Sequence, residues 1–119
     1  MVMQREDLIE RLRIFAEERD WNVFHTPRNI ACALSVEASE LLEIFQWSRG
    51  EGWSELSEEK VRTKVEDELA DIYLYLLRFA DLAKIDLDAV AERKIVKNAV
   101  KYPVNLAKGT DKKYNELGE

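Results

Sequence analysis

The sequence contains little of what tight turns, disulfides and zinc sites require. Its 119 residues include four glycines, two prolines, one cysteine and one histidine. A β-sandwich or barrel needs turn residues about every 8–12 positions, so this scarcity argues against a many-stranded fold. The single cysteine excludes an intramolecular disulfide and a cysteine-cluster metal site. With only one histidine as well, zinc chemistry of the usual kind is not expected.

Positive charge and long apolar runs are also scarce. The chain has 18 Lys and Arg against 24 Asp and Glu, a net charge of −6 at pH 7. Proteins that bind the nucleic-acid backbone normally have the opposite balance, so we expect no nucleic-acid polymer as a partner. No apolar run approaches the roughly 18 residues of a membrane span, and the first residues lack a signal-peptide core. We therefore expect no membrane association, a cytoplasmic location and a single domain.

Apolar residues recur at three- and four-residue steps along most of the chain, which is the period of amphipathic helices. The pattern predicts four helices, over about residues 4–19, 27–47, 58–83 and 85–101. Thr26 is expected to cap the second helix, with Pro27 in its first turn, and Ser57 to cap the third. We therefore expect an all-α four-helix bundle over residues 1–104, followed by a polar C-terminal tail over residues 105–119.

The predicted third helix contains a stretch, residues 72–77, that is apolar on every face. A helix of this kind is normally buried on all sides. A chain of 119 residues offers little material for such burial. We therefore expect a second copy of the chain to cover this helix in a homo-oligomer.

Two pairs of acidic residues are spaced so that each pair shares one face of a helix. Glu37 and Glu40 are three apart on the second helix, and Glu68 and Asp71 are three apart on the third. Apolar residues flank both pairs, so the carboxylates would repel one another and lose hydration. Four converging carboxylates without basic partners are what a hard divalent cation such as Mg²⁺ requires.

Acidic pairs at this spacing also occur on solvated helix faces, and this chain has others at positions 17 and 20 and at positions 55 and 58. The spacing alone therefore leaves both interpretations open. A di-iron bundle would need Glu-x-x-His pairs. The only histidine, His25, precedes the second helix, so that alternative is disfavoured.

Aromatic and polar residues elsewhere also have two interpretations. Trp21 and His25 lie in the break between the first two helices, and Trp47 ends the second. These tryptophans are candidates for stacking on a base or for ordinary packing. Lys94 and Asn98 share a basic face of the fourth helix, which is either a solvated surface or a phosphate contact.

Several segments, in their order along the chain, together resemble one family. They are residues 15–21, 24–25, 27–29, 37–47, 68–76, 94–98, 101–103 and 112–117. The resemblance covers about residues 12–117. The family is that of the MazG-like, all-α nucleoside triphosphate pyrophosphohydrolases, and the most similar group is that of the dCTP pyrophosphatases.

The resemblance implies Mg²⁺-dependent hydrolysis of a nucleoside triphosphate, with dCTP or a related pyrimidine as substrate, to the monophosphate and pyrophosphate. It implies that the metal ligands and catalytic residues are Glu37, Glu40, Glu68 and Asp71. It implies that the substrate contacts are Trp21, His25, Trp47, Tyr75, Lys94, Asn98 and Tyr102. Relatives in this group are tetramers or dimers, and the apolar third helix favours a tetramer here.

The chain departs from the family's pattern at three positions. Val36 stands where many MazG relatives have a further Glu, and Val96 replaces an acidic residue. Leu12 stands where some relatives have a His that reaches the substrate, so we expect a pyrimidine preference that is not absolute. Two alternatives are a broad-specificity pyrophosphohydrolase for non-standard or oxidised nucleotides and a non-catalytic nucleotide sensor.

Overall fold

All regular secondary structure in the computed structural model is helical, and no strand occurs in residues 2–118, which the structure describes. The α-helices are α1 (Arg5–Glu18), α2 (Pro27–Ile44), α3 (Glu59–Ala83), α4 (Leu87–Lys101) and the single-turn α5 (Val104–Ala107). Short 3₁₀ helices are formed by Asn22–Phe24, Trp53–Ser57 and Tyr114–Glu116. The expected all-α class is confirmed. Among the described residues, no helix is long and apolar enough to cross a bilayer.

The chain divides into two compact units, Met1–Lys84 and Ile85–Glu119. In the first unit, α2 and α3 pack along each other and α1 packs on α3. The buried apolar side chains are Ala16, Ile30, Val65, Leu77 and Ala80. The second unit contains α4, α5 and the last 3₁₀ helix. The predicted boundary between a domain and a tail at residue 104 stays a prediction.

The start of α2 agrees with its sequence signals. The Thr26 hydroxyl accepts a hydrogen bond from the Asn29 backbone N–H at 3.2 Å, and Pro27 is the first helical residue. This cap satisfies one of the free N–H groups in the first turn. The start of α4 is capped in the same way, because the Asp86 carboxylate accepts from the Ala89 N–H at 3.0 Å.

Two helix ends were predicted wrongly. The second helix ends at Ile44 and not at Trp47, because the N–H groups of Phe45 and Gln46 turn to carbonyls three residues back and tighten the last turn. Ser57 does not cap α3: it ends the 3₁₀ helix Trp53–Ser57, and the chain is extended at residue 58 before the helix begins.

Candidate active site

Acidic side chains of α2 and α3 meet where these two helices pack. Glu37 and Glu40 lie one turn apart on α2, and Glu68 lies on α3. One carboxylate oxygen from each of the three residues lies within 4.8 Å of the others. Glu37 and Glu68 are half-buried. The structure therefore brings together three of the four carboxylates that were predicted from spacing and resemblance, and we call this set the carboxylate cluster.

Two oxygens of the carboxylate cluster are buried without a hydrogen-bond partner, Oε2 of Glu37 and Oε2 of Glu68. None of the ion pairs within residues 2–118 involves a member of the cluster. Buried polar atoms nearly always have a hydrogen-bond partner, so a bound group is expected to contact these two oxygens. Oxygen donors of this charge and spacing fit a hard divalent cation.

Crowding changes the acidity of two members of the cluster. The Glu68 carboxyl, with which a protonated Glu37 can share its hydrogen, raises the pKa of Glu37 to about 7 together with desolvation and the charges of Glu40 and Asp71. For Glu68, this sharing of a proton with Glu37 lowers the pKa, but desolvation and the same two neighbouring charges outweigh it, so the net shift is upward. In the absence of a cation and below about pH 7, the pair therefore keeps a proton that isolated glutamates would release.

Asp71, the fourth predicted ligand, lies one turn beyond Glu68 on α3 and outside the 4.8 Å set. Its charge reaches both glutamates, since it raises the pKa of Glu37 and of Glu68. Asp71 and Glu37 also line the same cavity. The structure thus places Asp71 beside the cluster and at the edge of the adjoining space.

The cavity beside the cluster has a volume of about 470 Å³. Helices α1 and α3 and the segment that follows α1 supply most of its walls, and these are mainly apolar and aromatic. The lining residues that bear on function are Leu12, Phe15, Trp21, His25, Glu37, Asp71, Tyr75 and Arg78. The structure therefore brings three predicted substrate contacts, Trp21, His25 and Tyr75, to one space with two of the carboxylates.

The segment between α1 and α2 positions Trp21 and His25. Asp20, two residues after the end of α1, has a φ of 54°, in the left-handed region. The Trp21 N–H then donates to the Ala16 carbonyl at 2.9 Å, and a 3₁₀ turn follows. The Trp21 ring packs edge-on against Phe15, with centroids 5.6 Å apart, and against His25 at 6.4 Å.

Arg78 is a lining residue that the sequence analysis missed. Its side chain is only 5% exposed. Its Nε–H donates to His25 Nδ1 at 3.0 Å, and its Nη2 donates to Asn22 Oδ1 at 2.8 Å. The available signal was a cation directly after the apolar stretch 72–77 and before Phe79 and Ala80, at a position where burial of the charge would require partners.

The remaining predicted contacts are Trp47 in the first unit and three residues of the second. Trp47 follows the end of α2, is 89% exposed and is not among the residues that line this cavity. Lys94 and Asn98 lie on α4, and Tyr102 follows it, so all three belong to the second unit. All three are exposed. Their roles toward a substrate stay predictions.

Comparisons with known proteins agree on one group. A family model described as MazG-like matches residues 32–117. The chain is 38% identical over 117 residues to dCTP pyrophosphatase 1 of Homo sapiens and 39% identical over 113 residues to that of Rattus norvegicus. Each alignment covers 94% of this chain and 66% of the relative, so the chain spans just under two thirds of those proteins. A solved pyrophosphatase structure from Archaeoglobus fulgidus is 41% identical, with a TM-score of 0.77, and the match covers 87% of this chain and 95% of that one.

The raised pKa of Glu37 predicts a specific pH dependence of stability. The folded chain keeps a proton that the unfolded chain releases between the ordinary pKa of 4.5 and about 7. In the presence of a chelator, this carboxyl therefore lowers the free energy of unfolding as pH rises through that interval, and its effect is constant above it. Glu37→Gln cannot ionise, so its stability relative to the wild type should increase from about pH 5 to about pH 8 in urea unfolding. Glu17→Gln, on the exposed surface of α1, is the control, and an equal pH response of the two variants would contradict the assignment.

Proposed function

Because the chain belongs to the MazG-like family, we propose that it hydrolyses a nucleoside triphosphate, preferably dCTP or a related pyrimidine, to the monophosphate and pyrophosphate. The observation that carries the proposal is the carboxylate cluster, with two partnerless buried oxygens, beside an aromatic-lined cavity. The names of the mammalian relatives, dCTP pyrophosphatase 1, and the pyrophosphatase from Archaeoglobus fulgidus support the same reaction.

Glu37, Glu40 and Glu68, with Asp71 beside them, are the residues that would hold Mg²⁺. When bound, Mg²⁺ supplies positive charge that neutralises phosphate oxygens and polarises a phosphoryl group. The carboxylates alone would repel a triphosphate, so the same residues make substrate binding depend on the cation. The ligands offered here are all oxygen atoms, which suits Mg²⁺, an ion that usually keeps several of its own waters.

The chain's own part in the reaction is to position water and substrate. A water oxygen forms a bond to the α-phosphorus, the bond from that phosphorus to the bridging oxygen breaks, and pyrophosphate leaves with this oxygen. A carboxylate that is not fully used in coordination, Glu37 or Glu40, orients the water and takes its proton. Positioning and charge account for the rate enhancement, and no covalent intermediate is required.

The base is proposed to occupy the 470 Å³ cavity, where Trp21, His25 and Tyr75 line the wall. Leu12 lines the same cavity and offers no hydrogen bond, which supports an incomplete preference for pyrimidines. Trp47, Lys94, Asn98 and Tyr102 complete the proposed set of substrate contacts.

We also propose that the chain forms a homo-oligomer, a tetramer with a dimer as the alternative. Leu69, Tyr73 and Leu76 recur at steps of four and three on α3 and are all exposed in the single chain. An apolar face of this kind is more stable when it is covered by another subunit. We further propose that the chain is a four-helix bundle and that it is located in the cytoplasm. Sedimentation velocity of the full chain measures the number of subunits.

Pyrophosphate release across the natural and the damaged nucleoside triphosphates tests the reaction and its selectivity. We expect turnover with Mg²⁺ and faster turnover of dCTP than of purine triphosphates. Equal turnover of purines and pyrimidines would favour the broad-specificity enzyme instead. Nucleotide binding without any turnover would favour the nucleotide sensor.

Removal of one carboxylate should abolish turnover without unfolding the chain. Glu68→Gln and Asp71→Asn each remove a negative charge from a crowded acidic site, so the melting temperature without Mg²⁺ should stay equal or rise. The increase in melting temperature on adding Mg²⁺ should shrink. Glu66→Gln, which lies on the same helix and loses only an exposed pair with Arg62, should retain turnover. A large loss of metal-free stability would instead show that these carboxylates hold the fold through hydrogen bonds.

Tryptophan substitutions should separate base recognition from packing. Trp21 is 44% and Trp47 89% exposed, so both can stack on a base. Stacking contributes roughly 1–3 kcal/mol per base, so Trp21→Ala and Trp47→Ala should each weaken dCMP binding by about tenfold or more. Pyrophosphate has no base, and its affinity should barely change. Trp53→Ala is the control, because Trp53 is as exposed as Trp47 and has no proposed contact.

Calorimetry for both ligands, together with the melting temperature, decides the tryptophan assignment. A tryptophan that only packs in the core would cost about 3–5 kcal/mol of stability on replacement by Ala and would weaken the binding of both ligands through unfolding.

A further inference from the structure

Arg78 is a buried cation that no step of the proposed reaction uses. It lies on α3, is only 5% exposed and contributes to the wall of the 470 Å³ cavity. Burial of a guanidinium is costly unless its N–H groups have partners. Its two hydrogen-bond acceptors, His25 and Asn22, both lie on the segment between α1 and α2. The arginine therefore joins the C-terminal part of α3 to the segment that carries a predicted substrate contact.

The hydrogen bond from Arg78 determines where His25 holds its proton. An arginine side chain has donors only, so His25 Nδ1, at 3.0 Å from Nε of Arg78, must present its lone pair. A neutral imidazole then has its hydrogen on Nε2. Burial, and next the positive charge of Arg78, lower the pKa of His25, so the ring is neutral near physiological pH.

Further contacts hold this pair in place. Asn22 Oδ1 accepts from Nη2 of Arg78 at 2.8 Å and orients the guanidinium plane. On the other side, Asp81 lies 3.9 Å from Nη1 of Arg78 and is itself held by Arg13, whose Nε donates to it at 2.9 Å. The Trp21 ring meets the imidazole edge-on. The orientation of His25 is therefore set by its neighbours before any ligand binds.

We propose that Arg78 is a positioning residue: it holds His25 as the neutral Nε2–H tautomer, so that the imidazole offers a hydrogen-bond donor to an acceptor atom of the ligand. Since Nδ1 is occupied by Arg78, Nε2 is the ring nitrogen that remains for a ligand. That the ligand is a nucleotide rests on the proposed function. Trp21, Phe15 and Tyr75 line the same cavity, which assigns the acceptor to a carbonyl oxygen or ring nitrogen of the base.

This arrangement makes Arg78 a determinant of specificity that acts through His25. A base edge that presents only a donor to Nε2–H would leave two hydrogens opposed and unpaired, which a buried site rejects strongly. Because Arg78 donates to Nδ1, the ring proton cannot move from Nε2 to Nδ1. Nε2 therefore cannot become a hydrogen-bond acceptor for such a base. Without Arg78, His25 should therefore populate both tautomers, and binding of the base should weaken as a consequence.

The tautomer can be measured directly, because His25 is the only histidine in the chain. Long-range ¹H–¹⁵N spectra of histidine-labelled full-length protein, without ligand, should show an unprotonated Nδ1 and a protonated Nε2. Arg78→Met should give a mixture of tautomers, and Arg78→Lys, which keeps a donor, should restore the wild-type pattern. Arg62→Met, on the same helix but paired only with the exposed Glu66, is the matched control and should leave the spectrum unchanged. A protonated Nδ1 in the wild type, or an unchanged tautomer in Arg78→Met, would overturn the proposal.

Two probes then test which ligand atom His25 meets. Addition of dCMP should move the Nε2 signal, and addition of inorganic pyrophosphate should not. Arg78→Met should weaken dCMP binding by about tenfold, the loss expected for one well-placed hydrogen bond, with recovery in Arg78→Lys. A response of the Nε2 signal to pyrophosphate would place a phosphate oxygen there and overturn the assignment to the base. A melting temperature that falls in Arg78→Met without any loss of dCMP affinity would show a structural role only.

The two experiments separate this inference from the proposed reaction. The tautomer of the ligand-free wild type and of Arg78→Lys is informative even when Arg78→Met does not fold. A chain that hydrolyses no triphosphate but shows the Nε2–H tautomer would refute the proposed function and leave the role of Arg78 toward His25 intact. A chain that hydrolyses dCTP but shows the Nδ1–H tautomer would do the reverse.

Discussion

Repulsion between carboxylates on two packed helices is the constraint on which the site depends. The packing of α2 against α3 holds Glu37, Glu40 and Glu68 within a few ångströms, with an oxygen of Glu37 and one of Glu68 left without a partner. A shared proton relieves part of this repulsion, as the raised pKa of Glu37 shows. A divalent cation relieves more of it, because two positive charges meet several oxygens at once. The stability of this region and its proposed chemistry thus have one physical origin.

The same cavity contains a second electrostatic arrangement of the opposite sign. Asp71 and Arg78 are seven residues apart on α3, which separates them by roughly 10 Å along the helix axis. Glu37 and Asp71 form an acidic end. Arg78 forms the other end, where it donates to His25 and Asn22 and lies 3.9 Å from the Asp81 carboxylate. The proposed substrate has the same division, with phosphates that need a cation and a base that needs directed hydrogen bonds. One helix therefore spaces both halves of the proposed site.

Local signals predicted the helices well and their ends unevenly. Periodicity predicted α1 to α4, and the cap of α2 by Thr26 followed from the order of residues alone. The end of α2 was wrong because hydrogen bonds three residues apart tighten the turn before Trp47. The prediction of Ser57 as a cap was wrong because the segment before α3 forms a 3₁₀ helix of its own. This helix has only five residues, which is too short for a hydrophobic period to be recognised in the sequence. Sequence pattern is informative over several turns and weak over one.

The sequence by itself determined which carboxylates share a helix face, since a separation of three residues places Glu37 beside Glu40 and Glu68 beside Asp71 in any helix. It also indicated the family through the order of these motifs. Only the tertiary structure decided that the two faces meet, because the distance between Glu37 and Glu68 depends on how α2 packs on α3. The partnership of Arg78 with His25, 53 residues away, was likewise decided by packing. Spacing along a helix is a property of the backbone, whereas contacts between distant segments exist only once a core has formed.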